Sequence, residues 1–208
     1  MSNSRIRKIT ISTGIIATIV GNGASSFVGD GSAATSANLY PSGVAVDTSG
    51  NIYIADNANH RVRKLMISTG IISTIAGTGS CDDSNYGGGG AATSATLCSP
   101  ADVALDASGE ATNFTSYLII YSLPHYLPCL FLGNVYFSLY RNKVVVKVSS
   151  GVIVTIAGTD GSSGFSGDGG LATSAELDGP YGIALDSAGN QHYNFLMSYM
   201  YNSRLLPR

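Results

Sequence analysis

The chain has 208 residues, 44% of them hydrophobic and only 12% charged, with 26 glycines, no tryptophan and a formal net charge of −2. A charged fraction about half of the usual ~25% excludes a coiled coil and a charged disordered tail. The balance supplies no global basic field to hold nucleic acid.

Self-similarity decides the organisation. Ser12-Thr13-Gly14-Ile15-Ile16-Ala17-Thr18-Ile19-Val20-Gly21 returns as Ser68-Thr69-Gly70-Ile71-Ile72-Ser73-Thr74-Ile75-Ala76-Gly77, and in varied form at 149–158. Pro41-Ser42-Gly43-Val44-Ala45-Val46-Asp47 recurs at 100–106 and 180–186. Between these blocks lies a linker carrying Ala-Thr-Ser-Ala at 34–37, 92–95 and 172–175, with steps of 58 and then 80 residues.

In chain order, 5–9 reads as a third strand, because it matches 61–65, and 15–20 as a fourth. A Gly/Ser-rich loop follows. Residues 43–47 form a first strand, Asp47-Thr48-Ser49-Gly50-Asn51 a turn with Gly50 suited to a left-handed position, and 52–55 a second strand. Asp56-Asn57-Ala58-Asn59 turns the chain into 61–65, where polar and apolar residues alternate, and 71–76 is the fourth strand. Val44, Val46, Ile52, Ile54, Ile71, Ile75, Val103, Leu105, Ile153, Ile156, Ile183 and Leu185 are expected in the core. Strands apolar on both faces demand cover on both, which stacked sheets provide.

The second unit is split. Both Gly109 and Gly133 match Gly50, so 24 residues, 110–133, are surplus. From Ala111 to Leu132 there is no acid and no Lys or Arg. A single membrane crossing would part its ends by about 30 Å, whereas a hairpin needs them adjacent, and Pro124 and Pro128 interrupt a helix. The segment reads first as intron-derived, then as a hydrophobic loop, and last as a membrane span. The expected organisation is propeller blades at 1–110, an apolar insertion at 111–132, further blades at 133–190 and a divergent tail at 191–208.

The quoted blocks, with Gly50-Asn51-Ile52-Tyr53-Ile54-Ala55-Asp56 and Asn59-His60-Arg61-Val62-Arg63-Lys64, resemble the NHL repeat family in its long-loop form. The resemblance implies an all-β fold, a typically six-bladed β-propeller of four-stranded antiparallel blades whose loops form a binding platform. About eleven strands make only about three blades, against the ~4–8 of a closed propeller. An incomplete arc is therefore expected: a truncated product, or an oligomer that completes a ring from two chains through its exposed end blades.

Chemistry-bearing residues are sparse. Asp56, Arg61 and Arg63 become Leu139, Val144 and Val146 in the next unit, vanishing together, which suits a structural pair across the turn. Gly29-Asp30-Gly31 and Gly167-Asp168-Gly169 each offer one acid, where calcium wants six to eight oxygens, so a turn role is expected. His60, His125 and His192 have no ligand spacing, and no Gly-x-Ser-x-Gly elbow is present. Cys81, Cys98 and Cys129 form no CxxC pair. Cys81 and Cys98 flank one loop and could approach each other, but free thiols are expected in the absence of a sign of an oxidising compartment. Met1–Arg7 lacks the apolar region of a secretory leader, and no compartment is assigned.

These residues point to a non-catalytic protein- or glycan-binding module with no cofactor, no catalytic residue and no metal site. Nucleic-acid and membrane partners are not favoured. One alternative is a lyase- or lactonase-type propeller enzyme with its metal site in blades this chain lacks. The other is an RNA-binding propeller using a stripe of Arg5, Arg7, Lys8, Arg61, Arg63 and Lys64.

Overall fold

The computed structural model describes residues 3–106, 133–187 and 189–195. The 111–132 insertion and most of the divergent tail lie outside these residues. The fold is all-β, a propeller arc of antiparallel sheets. β1 (Ile6–Thr10) and β2 (Ile15–Val20) form a two-stranded sheet. A first blade comprises β4 (Pro41–Val46), β5 (Ile52–Asp56), β6 (Arg61–Met66) and β7 (Ile71–Ala76), with the short β3 (Ser32–Ala33) added outside β7. A second blade runs β8 (Pro100–Leu105), β9 (Val135–Leu139), β10 (Val144–Ser149) and β11 (Val152–Ala157). β12 (Pro180–Leu185) pairs with β13 (Gln191–Phe195), so the start of the divergent tail supplies a second strand. β8 lies between β4 and β12, which places the three first strands side by side.

Alternation explains the stacking. In β5 the Ile52 and Ile54 side chains enter the seam with β1 and β2, while Tyr53 enters the seam with the second blade. In β9, Val135 and Phe137 face the first blade and Tyr136 faces β12 and β13. A period of two thus feeds a core on both faces of each blade.

Part of the expected core is corrected by this geometry. Val44 is 50% exposed and Val46 also lies open, whereas Val103, the counterpart of Val44, is 3% exposed. Blade one covers β8, but among the described residues the sheet before β4 holds only a third and a fourth strand, so nothing lies over β4 on that side. Ile71, Ile75, Leu105, Ile156 and Leu185 are half-buried, and Ile52, Ile54, Ile153 and Ile183 are buried as expected.

Each first-to-second-strand turn is held by an Asp–Asn clasp. Asp47 Oδ1 accepts the Asn51 N–H at 2.7 Å and its Oδ2 accepts Asn51 Nδ2 at 2.8 Å. Asp186 and Asn190 repeat this, and so do Asp106 and Asn134, although 28 positions separate them. Tyr136 donates to Asp106 at 3.0 Å; burial, with that hydrogen bond and the carboxylate charge, pushes its hydroxyl up to about 12. The two flanks of the 111–132 segment therefore meet as a hairpin does. Joining Gly109 to Asn134 recreates the Asp47–Asn51 spacing, and such a deletion is expected to leave the melting temperature unchanged or higher in thermal denaturation.

A candidate ligand-binding face built from the long loops

Three loops, 22–40, 78–99 and 159–179, link each fourth strand to the next first strand. They meet the second-to-third-strand turns: the Asn57 N–H donates to Tyr40 O at 3.0 Å, Asn59 Nδ2 to Ser26 O at 3.3 Å, and Asn142 Nδ2 to Asp82 O at 2.7 Å. The long loops and these turns therefore share one face of the arc. The Asp–Asn clasps lie on the other, where Asn51 Oδ1 accepts the Ile67 N–H.

The first two loops are also straps onto the following blade. Ser32 and Ala33 pair with Ile72 and Ile71 of β7, and Ala91 pairs with Val152 of β11. The Ala-Thr-Ser-Ala stretch, which reads in sequence as a linker, is a 3-10 turn whose alanines plug the seam. Ala34, Ala37 and Leu39 enter one core cluster, and Ala92, Ala95 and Leu97 the next. The intervening hydroxyl pairs, Thr35-Ser36, Thr93-Ser94 and Thr173-Ser174, stay exposed.

Arg63 is the polar centre of the first seam. Its side chain is 0% exposed. Nε and one terminal nitrogen donate to Asp30 Oδ1 at 3.0 and 2.7 Å, and the other terminal nitrogen donates to Asn38 O at 2.9 Å. Asp30 Oδ2 accepts the Thr74 N–H. Asp56 Oδ2 lies 3.7 Å from Arg63, and its Oδ1 accepts from Tyr40 N–H at 2.6 Å and Asn59 Nδ2 at 2.8 Å. Burial outweighs these contacts and raises the Asp56 carboxyl above its usual range. Arg61 stacks over the Phe27 ring at 3.6 Å and donates to Asn59 O and Thr78 O.

Comparison with known proteins follows the same lines. Residues 38–65 match the family model of the NHL repeat. The chain carries an NHL repeat. A solved protein of unknown function from Bacteroides thetaiotaomicron VPI-5482 is similar at 16% identity and a TM-score of 0.62, over 93% of this chain and 40% of its own. An auxiliary nutrient binding protein from Bacteroides ovatus ATCC 8483 is similar at 17% identity and a TM-score of 0.57, over 89% of this chain and 39% of its own. The chain thus spans about two fifths of the length of these structures. At such identities the likeness shows the fold. No curated protein matches the sequence.

The matched NHL repeat covers β4 to β6, which includes the Arg63 centre. The unit after it fills the Arg63, Asp56 and Asp30 positions with uncharged residues, while the Asp160 carboxylate accepts the Tyr86 N–H. Val146 stands at the Arg63 position, Leu139 at Asp56 and Gly88 at Asp30, while Tyr86 is buried in that seam and its hydroxyl meets Thr155 Oγ1 at 2.6 Å. Local reading of the sequence sees Asp56, Arg61 and Arg63 together; it misses Asp30 and Phe27, which come from the preceding loop. The signal was present, because Asp30 and Arg63 are lost together as Gly88 and Val146.

The cysteines correct an expectation. Cys81 and Cys98, 17 positions apart, form a disulfide. The loop folds back as the strap is laid down, with the Cys98 N–H anchored on Asn142 Oδ1, and this brings the two Cα atoms to 4.6 Å. Cys81, Asp83 and Cys98 are the one His/Cys/Asp/Glu group of metal-ligand size among the described residues, and the disulfide occupies both sulfurs. Closing a loop of this length stabilises by about 3 kcal/mol. Reduction, or Cys81→Ser with Cys98→Ser, is expected to lower unfolding free energy by about that amount in urea titrations.

His60 accepts the Ser99 N–H at Nδ1, 3.2 Å away. Burial, then the charges of Arg141 and Arg61, hold its pKa below the ordinary 6.5, against an opposing pull from Asp83. As pH falls below 6.5 the unfolded chain takes the proton first, so this contribution is full above that value and drains below it. Urea titrations at pH 7.5 and 5.5 are expected to show the wild type losing more stability than His60→Gln.

Proposed function

We propose that the chain is a non-catalytic binding module that holds a glycan or a protein segment on its loop face. The observation that carries this reading is the display of Thr35-Ser36 and Thr93-Ser94 on turns flanked by alanines buried in the seams, with Thr173-Ser174 exposed at the same place in the last loop. Neutral hydroxyls on rigid supports recognise hydroxyl- and amide-rich ligands, and rigidity limits the entropy lost on binding. The name of the similar Bacteroides ovatus structure, an auxiliary nutrient binding protein, supports the same reading. On this reading Asp56, Arg61 and Arg63 are structural, bonded to the loops rather than presented to a ligand.

The RNA alternative loses much of its stripe. Arg63 and Lys64 are buried, with Lys64 Nζ 4.9 Å from the Tyr53 ring, and Arg61 lies on Phe27. No helix of the described residues is long and apolar enough to cross a membrane. The disulfide favours an oxidising compartment.

The test is binding of the full chain to a glycan panel and a peptide panel, read by interferometry. Thr93→Val with Ser94→Ala is expected to weaken the best ligand about tenfold, as removal of one or two hydrogen bonds does, with no change in melting temperature. Binding unaffected by that change, or metal-dependent turnover of the ligand, would contradict the reading.

A further inference from the structure

We infer that the Cys81–Cys98 disulfide is one state of a metal site: once a dithiol opens the bond, Cys81, Asp83 and Cys98 together bind a Zn²⁺ ion. Cys81 Sγ lies 3.2 Å from Asp83 Oδ1. A disulfide sulfur has no proton to give, so this contact is no hydrogen bond in the oxidised chain. The other carboxylate oxygen of Asp83 pairs with Arg141, which fixes the group with Oδ1 turned to the sulfur. One ligand atom from each of Cys81, Asp83 and Cys98 lies within 4.8 Å of the others. A tetrahedral zinc ion, with bonds of about 2.3 Å to sulfur and about 2.0–2.2 Å to oxygen, sets its ligands ~3.5–3.8 Å apart. The three atoms already sit within a space of that size, and the two sulfurs have only to part.

The frame around these side chains does not depend on the bond that is broken. Asn142, at the turn between β9 and β10, is 0% exposed. Its Oδ1 accepts the Cys98 N–H at 3.0 Å, and its Nδ2 donates to Asp82 O at 2.7 Å. Asp82 stands between Cys81 and Asp83 in the chain, and its own N–H donates to Thr96 O. One buried amide thus pins both ends of the cluster to the second blade, and the buried Tyr86 anchors the loop a few residues on. The cysteines are also additions to the repeat rather than part of its packing. Leu97 takes the place of Leu39 in its seam, so Cys98 stands where the first loop has Tyr40 and where the third, after Leu177, has Asp178.

The exchange balances. The dithiol gives two electrons and two protons and closes to its own cyclic disulfide, while the Cys81–Cys98 bond breaks and both sulfurs become thiols. Zinc takes them as thiolates, and two protons pass to water. Two thiolates with one carboxylate suit a borderline-soft ion such as Zn²⁺ and not the hard Ca²⁺ or Mg²⁺. Cys98 is buried while Cys81 and Asp83 are exposed. Three protein ligands leave a fourth position open to water, on the face that carries the long loops. Zinc binding here does not depend on the glycan or peptide reading, and a chain that holds neither ligand still takes the metal.

The experiment is an anaerobic cobalt titration of the full chain carrying Cys129→Ser, reduced beforehand with a phosphine and desalted. One cobalt per chain is expected, with a thiolate-to-cobalt charge-transfer band in the near ultraviolet and the visible bands of a tetrahedral site. Added zinc is expected to remove both, and the oxidised chain to show neither. Asp83→Asn is expected to weaken binding by at least about 100-fold, beyond the ~10–100-fold of an outer partner, and Cys81→Ser to do the same. Thermal denaturation is the second measurement. Zinc is expected to raise the melting temperature of the reduced chain and to leave that of the oxidised chain unchanged. The inference would be overturned by the lack of a band up to about 100 μM cobalt, or by a band indifferent to Asp83→Asn or to Cys81→Ser. Equal binding by the oxidised chain, a melting temperature unmoved by zinc, or a reduced chain that unfolds and does not refold with zinc would overturn it too.

Discussion

Arg63→Ala is expected to lower unfolding free energy by about 3–5 kcal/mol, the usual result of removing one member of a buried ion pair. The large effect comes from what remains. Asp56 is 0% exposed, and its Oδ2 has no hydrogen-bond donor. Without the guanidinium, that carboxylate and Asp30 face each other across a cavity. The chain itself supplies the compensating set. Combining Arg63→Val, Asp56→Leu, Asp30→Gly and Val28→Tyr transplants the Val146, Leu139, Gly88 and Tyr86 arrangement of the next seam. That quadruple variant is expected to recover most of the loss, because an apolar replacement of a buried ion pair is often neutral or stabilising. Denaturant titration of the two proteins measures the difference. Equal destabilisation would show that the two seams are not interchangeable.

Phe137→Ala is expected to cost about 3–5 kcal/mol and to lower the melting of both blades together. Phe137 is fully buried in β9, in a cluster that takes Tyr53, Val62 and Ala76 from the first blade and Val103, Val146 and Ile153 from the second. Removing its ring leaves a cavity shared by two sheets, so neither can keep its packing while the other loosens. Near-ultraviolet and far-ultraviolet circular dichroism should report one coincident transition. Two separated transitions would mean that the blades fold independently.

Strand positions were legible because alternation and turn chemistry are local. Residues 71–76 are β7 as read, and the Asp47-Thr48-Ser49-Gly50-Asn51 turn is where its residues place it. The cover on each strand was not legible, because it comes from the neighbouring sheet. Val44 and Val103 have the same local pattern and opposite burial. The same limit applies to the polar residues. Asp56 and Arg61 sit on one hairpin and invite pairing, but Arg63 takes Asp30 from 33 positions earlier. The Ala-Thr-Ser-Ala stretch carries no apolar run long enough to look like core, yet two small methyls suffice where a backbone strap closes on a blade. Small residues there permit the close approach.

The 22–40 and 78–99 loops are straps built into the seams, with their outer Thr-Ser hydroxyls left open. Native-state hydrogen exchange of the full chain tests this packing most directly. The Gly31 and Ala34 N–H groups donate to Ile72 O and Gly70 O, and those of Gly89 and Ala92 to Ile153 O and Gly151 O. These four loop amides are expected to exchange as slowly as the central strands β6 and β10, opening only with global unfolding. Exchange at the rate of the exposed turns, while β6 and β10 stay protected, would contradict the strap packing.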